Sequence, residues 1–450
     1  MRIGIIGGGM MGLALGHRLS GRGHNVTILE RETQLGGLAT YHNFGPFVWD
    51  RFYHVILPTD SHLIGLLHDI DLTDRLRWRH TRTGFYVDQK LHSISSSMEF
   101  LRFPAISLFG KIRMALTILY CARINDWKRL ESLLLEPWLM RLSGRATYEK
   151  FWKPLLLAKL GENYRRVSAV FIWSYIKRLY SARASAAQRE QLGHVSGGYR
   201  TVILRLAELI QNAGGAIETG VTVTRVAANP DGGIQVDTDR GSSHFDKVVF
   251  TGPVNILERI VAPELVSLER RGATVEYLGV ICMVLITRKP LVPFYVVNIA
   301  DPRIAFTGVI GMSNVVATEE TAGLHLTYLP KYVHSDDPIL RESDEALRKL
   351  FLDGVHLMFP ELREEDVVST QINRAVKVQP LQVLNYSELV PQVSTRHDDF
   401  FVLNTSQFVH NTLNNNEVVR SVNDFLASHG EQFAQPGSYS PTSANVAASA

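Results

Sequence analysis

The 450-residue sequence predicts an α/β fold, and three observations support this prediction. The chain opens with a short apolar run, a turn with spaced glycines and a helical pattern, an order typical of a parallel sheet. Strand patterns beside glycine pairs return after residue 190, and another strand pattern follows near residue 400. A chain of this length exceeds one ordinary core, so we expect two domains or one domain with a large insertion.

Composition and charge exclude several classes of function. Apolar residues make up 45% of the chain and charged residues 20%, as in globular proteins generally. The net charge of +3 is too small to indicate a nucleic acid or a strongly acidic partner. Cys121 and Cys282 suit a reducing compartment and form neither a disulfide framework nor a metal site. No signal peptide or membrane span is predicted, so we expect a cytoplasmic protein.

The opening motif has the spacing of a dinucleotide-binding turn. Ile3-Gly4-Ile5-Ile6 predicts a central parallel strand that is buried on both faces. Gly7, Gly9 and Gly12 then form the pattern G-x-G-x-x-G. In that pattern the first glycine permits the tight turn, the second lets the backbone approach a pyrophosphate, and the third lets the helix pack on the strand.

The helix after this turn and the strand beyond it complete a nucleotide-binding unit. A helix from about residue 11 to 22 directs its first N–H groups at the phosphates, so we place Met10 and Met11 in the site. The second strand, 25–29, ends at Glu30. A carboxylate there accepts hydrogen bonds from the adenosine ribose and repels a 2′-phosphate. We therefore expect FAD or NAD rather than NADP.

A second glycine pair follows closely. Glu30-Arg31 with Gly36-Gly37-Leu38-Ala39-Thr40 resembles the E-R-x-x-x-x-G-G extension of the flavin amine oxidase superfamily. That superfamily includes monoamine oxidases, protoporphyrinogen oxidases, carotenoid desaturases and UDP-galactopyranose mutases. The resemblance implies FAD rather than NAD. It also implies a set of residues along the pyrophosphate and ribityl chain, namely Arg31, Gly36, Gly37, Leu38 and Thr40.

The resemblance further implies a Rossmann-like FAD-binding domain that is discontinuous, with later segments in a fixed order. Gly197-Gly198 precedes an amphipathic helix, and strand 220–226 follows, in which the backbone of Val223 would contact the adenine. The run 246–253, which contains Thr251, resembles the superfamily's D-x-V-[IV]-x-[AT]-x-P strand. The order of these segments supports the resemblance.

The closing segment departs from the superfamily pattern. After the strand 400–403, Asn404-Thr405 stands where relatives have Gly-Asp, which removes an expected contact to the ribityl chain or the pyrophosphate. Asn414, Asn415 and Asn416 begin the final helix, and asparagine tolerates left-handed angles and caps helices well. We therefore still expect FAD contacts from Asn404, Thr405, Asn415 and Asn416.

The segments define an expected domain organisation. The helical insertion and the mixed sheet of the substrate domain interrupt the FAD-binding domain, and a tail rich in Ser, Ala, Pro and Gln is expected to be disordered. The expected bounds are 1–84, 192–253 and 396–430 for the FAD-binding domain, 85–191 for the helical insertion, 254–395 for the substrate domain and 431–450 for the tail.

One amphipathic helix of the insertion raises a question about partners. Arg113 and Thr117 fall off its apolar arc, which comprises Leu108, Phe109, Ile112, Leu116 and Leu119. We expect this arc to pack on the substrate domain. The alternative is peripheral contact of residues 105–122 with the inner face of a membrane, as related oxidases make through this insertion.

Two residues are the main candidates for chemistry beside the flavin ring. His54 is either a base or hydrogen-bond donor there, or a histidine packed in a loop. Lys159, which lies between apolar stretches, would hold an anionic substrate by charge-assisted bonds. An arginine run offers similar chemistry, although a solvated face is the favoured interpretation; it comprises Arg75, Arg77, Arg79 and Arg82.

An expected lysine is missing from the substrate domain. Amine oxidases generally place a lysine on a strand that faces the flavin, and here Cys282 stands near that position. A neutral thiol cannot replace an ammonium, so primary-amine oxidation is disfavoured. Short stretches such as Asp50-Arg51-Phe52-Tyr53-His54 and Trp152-Lys153-Pro154 resemble bacterial protoporphyrinogen-oxidase-like flavoproteins.

The resemblance therefore implies a FAD-dependent oxidoreductase that takes hydride from a bulky, anionic or lipidic substrate. The chain carries one nucleotide-binding motif, so we expect oxygen or a quinone to accept the electrons. Three alternatives stay open. They are a redox-neutral enzyme similar to UDP-galactopyranose mutase that acts on a nucleotide sugar, a carotenoid-type desaturase or isomerase, and a flavin-binding protein without turnover.

Overall fold

A computed structural model describes residues 1–181, 190–266 and 275–434 of the chain. The strands in these ranges are β1 (Arg2–Ile6), β2 (Asn25–Glu30), β3 (Tyr41–Asn43), β4 (Val48–Asp50), β5 (Leu76–His80), β6 (Thr83–Val87), β7 (Lys90–Ser93), β8 (Gln191–Val195), β9 (Ala216–Thr219), β10 (Val223–Ala228), β11 (Ile234–Thr238), β12 (Gly241–Phe245), β13 (Lys247–Phe250), β14 (Tyr277–Thr287), β15 (Val296–Ile299), β16 (Gly308–Gly311), β17 (His325–His334), β18 (Val367–Pro380) and β19 (Phe400–Val402). The helices are α1 (Met10–Ser20), α2 (Ser61–Asp69), α3 (Ser97–Arg102), α4 (Leu108–Arg123), α5 (Trp127–Glu131), α6 (Leu135–Ser143), α7 (Arg145–Thr147), α8 (Lys153–Leu160), α9 (Ala169–Ser181), α10 (Tyr199–Asn212), α11 (Val254–Ile260), α12 (Asp344–Met358) and α13 (Asn415–His429).

Five parallel strands form the first sheet, in the order β19-β13-β1-β2-β9. β1 lies at the centre, with Ile5 opposite Val249 on β13 and Ile28 on β2. Side chains of β1 are buried on both faces of the sheet, which explains its apolar sequence. The predicted α/β fold is confirmed, and the opening strand, helix and second strand lie close to their predicted bounds.

Helices cover one face of this sheet and a small sheet covers the other. α1, α10 and α13 pack on the first face, where Leu13, Leu206 and Val422 share one core. The antiparallel sheet β10-β11-β12 packs on the second face, where Val236 shares a core with Phe250. The carboxyl ends of β1 and β2 stay at the edge between these layers, which is where open α/β sheets bind nucleotides.

A mixed seven-stranded sheet forms a second layer of the molecule, in the order β18-β14-β17-β16-β15-β6-β7. Neighbouring strands are antiparallel except β15 with β6. α12 covers one face of the sheet, where it buries Phe351. On the opposite face, Cys282 of β14 and Tyr328 of β17 share a core with Trp49 of β4. The sheet therefore contacts β4, which follows the glycine-rich extension in the sequence.

The predicted start of the helical insertion was wrong. The expected boundary between residues 84 and 85 falls inside β6, which pairs with β7 and with β15 in the seven-stranded sheet. β15 is distant in sequence, so no local pattern indicates this pairing. The predicted tail, 431–450, begins inside a short 3₁₀-helix (Gly430–Phe433), and residues 435–450 lie outside the described residues.

The orientation of α4 also differs from the favoured expectation. Its apolar arc does not pack on the substrate domain, since Phe109 is 73% exposed, Leu108 65% and Leu116 60%. The opposite side of the helix is buried, including Lys111 and Thr117. These polar groups are satisfied inside the protein. The Lys111 ammonium donates to the carbonyl oxygen of Leu101 at 2.7 Å, and the Thr117 hydroxyl donates to the carbonyl oxygen of Arg113 at 2.9 Å.

None of the helices within the described ranges is both long enough and apolar enough to cross a membrane.

Candidate cofactor and substrate site

The glycine-rich turn after β1 has a conformation that other residues would disrupt. Gly7 has a φ of +115°, and a side chain there would lie 2.5 Å from the hydroxyl of Thr251. A Cβ atom at Gly12 would lie 2.0 Å from the carbonyl oxygen of Gly7. The turn therefore admits glycine alone at both positions, and the helix is held against the strand.

The N-terminus of α1 opens onto the second glycine pair. The backbone N–H of Gly36 donates to the carbonyl oxygen of Gly8 at 2.8 Å, and Gly36 and Gly37 have φ of +108° and +57°. Gly9 faces Gly37, and a Cβ atom added to Gly9 would meet no atom closer than 3.9 Å. No side chain caps this end of α1, and its first turn carries no acidic residue. The backbone N–H groups of Met10 and Met11 therefore fit a diphosphate at this opening.

Glu30 lies at the end of β2, beside the same turn. Its carboxylate accepts a hydrogen bond from the N–H of Gly8 at 2.6 Å and one from the N–H of Glu32 at 2.8 Å. The remaining lone pairs suit a ribose diol. Arg31 is exposed and its guanidinium pairs with Glu32 at 2.7 Å, so its side chain lies on the surface.

The extension after Glu30 and the strand β13 reinforce the turn. The Thr40 hydroxyl donates to the carbonyl oxygen of Leu35 at 3.1 Å, which leaves Leu38 half-buried at the bend. The Thr251 hydroxyl donates to the carbonyl oxygen of Ile6 at 3.0 Å. Val223 begins β10, opposite Thr238, immediately before an irregularity in the strand pairing. The predicted contacts of these residues with the adenine and the diphosphate stay predictions.

Asn404 has a structural role that the sequence did not predict. It is 2% exposed, its side-chain oxygen accepts from the N–H of Ser406 at 3.1 Å, and its amide donates to the carbonyl oxygen of Gly252 at 3.0 Å. The side chain thus joins β19 to the end of β13. Thr405 is half-buried and starts the short 3₁₀-helix that Asn404 caps.

The three asparagines at the start of α13 have three different partners. Asn414 caps α13, since its side chain accepts from the N–H of Glu417 at 3.0 Å. Asn416 caps α2 instead, and accepts from the N–H groups of His62 and Leu63 at 2.9 and 3.1 Å. The Asn415 side chain hydrogen-bonds to Tyr199. Asn416 therefore has its backbone N–H, rather than its side-chain oxygen, available to a ligand.

His54 lies beside a carboxylate that the sequence did not single out as functional. Asp50 is 2% exposed, and its carboxylate accepts from the N–H of Tyr199 at 2.7 Å. The other carboxylate oxygen is 3.8 Å from Nδ1 of His54, which is buried and without a hydrogen-bond partner among the described residues. The rings of His54 and Tyr199 lie 5.1 Å apart. The i, i+4 spacing of Asp50 and His54 was the available sequence signal.

An aromatic and cationic cluster lies on the adjoining face of the seven-stranded sheet. The hydroxyl oxygens of Tyr53 and Tyr332 are 2.9 Å apart, and the Lys159 ammonium lies 5.8 Å from the Tyr332 ring centroid. Lys159 is half-buried, and within the described ranges its ammonium has no ion-pair or hydrogen-bond partner. Burial lowers the pKa of Lys159 and raises the pKa values of both tyrosines.

The last of the candidate residues are Cys282 and the arginine run. Cys282 is fully buried, and burial raises the pKa of its thiol, which stays neutral. β14 carries no lysine anywhere along its length. The arginine run lies exposed at and near β5, as a solvated face requires, and it comprises Arg75, Arg77, Arg79 and Arg82.

Comparisons with known proteins identify the family of the chain. Residues 10–377 match the family described as flavin containing amine oxidoreductase. The flavin-dependent L-tryptophan oxidase RebO of Lentzea aerocolonigenes is 30% identical over 144 residues, which are 31% of this chain and 28% of that protein. The match thus spans less than a third of RebO.

Two solved structures share the fold. A provisionally assigned protoporphyrinogen oxidase of Exiguobacterium sp. 255-15 is 17% identical with a TM-score of 0.73, over 95% of this chain and 98% of that one. Reduced UDP-galactopyranose mutase is 15% identical with a TM-score of 0.71, over 97% and 98% of the two chains. At these identities the likeness concerns the fold alone.

Proposed function

We propose that this chain, which belongs to the flavin-containing amine oxidoreductase family and is a FAD-dependent oxidoreductase, takes hydride from a bulky substrate that carries an anionic group. Bound FAD supplies the hydride-accepting chemistry. The glycine-rich turn, Glu30 and the N-terminus of α1 hold the cofactor. The substrate binds against the face of β14 and β17 where the Tyr53–Tyr332 pair lies.

The unpartnered ammonium of Lys159 carries this proposal. A half-buried cation loses hydration, and without a counter-ion among the described residues it favours an anion from outside. The neighbouring groups are neutral, because burial raises the pKa values of Tyr53, Tyr332 and Cys282. Lys159 therefore binds the anionic group of the substrate, and the aromatic rings pack against its apolar body.

We assign proton transfer to His54, and the sequence of β14 limits the class of substrate. His54 accepts the proton that the substrate releases as hydride leaves; its side chain is 21% exposed and lies 3.8 Å from the Asp50 carboxylate, which supports this role. The absence of lysine from β14 disfavours primary amines as the substrate class. RebO is by its name an L-tryptophan oxidase. L-Tryptophan is a primary amine, so only its carboxylate and its indole, which suit a cation beside aromatic rings, support the substrate proposed here.

Anaerobic flavin bleaching tests the proposal. The holoenzyme is mixed with aromatic and isoprenoid acids, each paired with its neutral amide or methyl ester. We expect the acids to bleach the flavin and the neutral partners to bind at least tenfold more weakly, because a hydrogen bond to a charged group contributes roughly 1.5–3 kcal/mol. Lys159→Gln should abolish the difference between each pair. Lys153→Gln is the matched control, because Lys153 lies on the same helix and already pairs with Glu149 at 2.8 Å.

Other results identify the alternatives. Equal bleaching by acids and esters contradicts the anionic-group assignment. Turnover of a nucleotide sugar that requires pre-reduced flavin identifies a redox-neutral enzyme, and bleaching by neutral isoprenoids alone identifies a desaturase. Flavin that no compound reduces identifies a binding protein without turnover. Re-oxidation of the bleached enzyme by oxygen, compared with a soluble quinone, determines the electron acceptor.

We further propose that the exposed arc of α4 contacts the inner face of an anionic membrane. Residues 100–125 contain four basic residues and no acidic residue, and Arg102 and Arg123 are exposed beside the arc. Apolar side chains in the acyl region and cations at the headgroups are the arrangement of interfacial helices. A lipid-dissolved quinone or lipidic substrate would then reach the protein from the bilayer.

Vesicle co-sedimentation tests the membrane contact. The holoenzyme should pellet with vesicles of phosphatidylglycerol and phosphatidylcholine, and much less with phosphatidylcholine alone. Leu116→Asp should abolish pelleting, whereas Leu357→Asp should not, because Leu357 is similarly exposed (52%) on α12. Pelleting that Leu116→Asp leaves unchanged contradicts the proposal.

A further inference from the structure

Asp50 connects three parts of the molecule at one point. Its carboxylate accepts from the N–H of Tyr199 at 2.7 Å, at the N-terminus of α10. Its carbonyl oxygen accepts from the hydroxyl of Tyr328 on β17. A Cβ atom at Gly198 would lie 2.6 Å from the same carboxylate, and Gly198 has a φ of +70°. The surroundings therefore fix the position of this carboxylate from several directions.

The two ring nitrogens of His54 have different environments. Nδ1 is buried, lacks a hydrogen-bond partner among the described residues and lies 3.8 Å from the free carboxylate oxygen of Asp50. The His54 side chain is nevertheless 21% exposed, so a part of the ring other than Nδ1 is accessible. Tyr199 also lies against the ring, and burial keeps it neutral by raising its pKa. The separation of 3.8 Å between Nδ1 and Asp50 is within ion-pair range and is longer than a direct hydrogen bond.

We propose that Asp50 is a positioning residue for His54: its carboxylate accepts a hydrogen bond from Nδ1–H and so leaves Nε2 unprotonated and directed at the substrate. The inference rests on the proposed function, in which His54 is the proton acceptor. In the two-electron oxidation, an O–H or N–H bond of the substrate breaks and its proton passes to Nε2, the neighbouring C–H bond breaks, and a C=O or C=N bond forms. Bound FAD would accept the hydride from that C–H bond. The imidazolium formed is then stabilised by the adjacent carboxylate.

Histidine tautomers can be measured without a substrate. The holoenzyme labelled with ¹⁵N-histidine gives separate long-range NMR signals for protonated and unprotonated ring nitrogens, and the loss of one set in His54→Gln assigns residue 54. We expect the Nδ1–H tautomer in the wild-type protein and the Nε2–H tautomer in Asp50→Asn, whose amide can donate to Nδ1. The same change of carboxylate to amide in a serine protease leaves the geometry intact and imposes the wrong tautomer.

Asp60→Asn is the matched control. Asp60 is also buried, and it accepts a backbone N–H bond from Leu57 at 2.8 Å and pairs with Arg178 at 3.1 Å, but no contact with His54 is seen within the described residues. This variant should lose thermal stability and keep the wild-type tautomer of His54. With a substrate in hand, Asp50→Asn should slow flavin reduction roughly 10²–10⁴-fold with little change in substrate affinity.

The outcomes separate this inference from the function on which it rests. An Nε2–H tautomer in the wild-type protein overturns the positioning role, even if flavin reduction proceeds and even if the Asp50 variant does not fold. An unchanged tautomer in a folded Asp50→Asn protein overturns it too. If the tautomers change as expected but His54→Gln reduces flavin at the wild-type rate, the proposed function of His54 fails while the Asp50–His54 pairing stands.

Discussion

The backbone N–H of Gly8 donates a hydrogen bond of 2.6 Å to the carboxylate of Glu30, so the acidic residue that we propose for the ribose also holds the glycine-rich turn. The interaction couples the end of β2 to the turn after β1. We therefore expect cofactor binding to depend on Glu30 through both the loop conformation and the ligand.

Glu30→Gln should lower the flavin content of the purified protein, and Glu30→Arg should abolish it. An amide keeps one acceptor for Gly8, whereas a guanidinium keeps none and repels the adjacent donors. The measurement is the ratio of visible flavin absorbance to protein absorbance. Glu32→Gln is the control, because Glu32 is exposed and pairs with Arg31. Full flavin content in Glu30→Arg would contradict the ribose assignment.

Gly12→Ala should lose both flavin and thermal stability. Its Cβ atom would lie 2.0 Å from the carbonyl oxygen of Gly7, so helix and turn must move apart. Gly65→Ala on α2 is the opposite case, because a Cβ atom there meets nothing within 4 Å. We expect Gly65→Ala to raise stability by about 0.4–1 kcal/mol with unchanged flavin. Thermal unfolding followed by flavin fluorescence measures both variants.

Binding of an anionic substrate should weaken as pH rises through the lowered pKa of Lys159. The ammonium binds the anion and the neutral amine does not, and burial moves this change below the ordinary lysine range. The dissociation constant measured from pH 7 to 10 should rise in the wild-type protein and stay flat in Lys159→Gln. A flat wild-type profile would remove Lys159 from the substrate site.

The same shift predicts a pH dependence of stability. The folded protein releases the Lys159 proton at lower pH than the unfolded chain, so the unfolded chain binds more protons in that window. Stability then rises with pH between the lowered pKa and the ordinary lysine value. Lys159→Met should be more stable than the wild type below this window, and the difference should shrink as pH rises. Thermal unfolding of the two proteins across pH checks the sign.

Asn416→Ala should destabilise the junction of α2 and α13 by about 1 kcal/mol, because it removes the cap that accepts from His62 and Leu63. Asn416→Asp keeps the accepting oxygen and should retain most of the stability. Flavin content should change little in either variant, since the side chain caps α2. Loss of flavin from a folded Asn416→Ala protein would show that this side chain also serves the cofactor.

Local sequence was a sound guide to the nucleotide-binding unit and a poor guide to the chemistry. Gly7, Gly12 and Glu30 lie in one contiguous strand–turn–helix–strand segment, where steric limits act between near neighbours. Asp50 escaped attention because its partner, Tyr199, is far away in the chain. Asn404 and Asn416 stay predicted as ligand contacts, but no local pattern predicted that their side chains join distant segments.

The sequence by itself determined the α/β class, the flavin cofactor and the family, because each depends on glycine conformations, periodicity and spacing within short stretches. The tertiary structure alone decided that β6 joins the substrate sheet, that the apolar arc of α4 faces outward, and that Asp50 contacts Tyr199 and Tyr328. Those outcomes depend on which distant surfaces bury each other. A helix pattern defines an apolar face, but the packing of the whole chain decides whether another part of the protein covers that face.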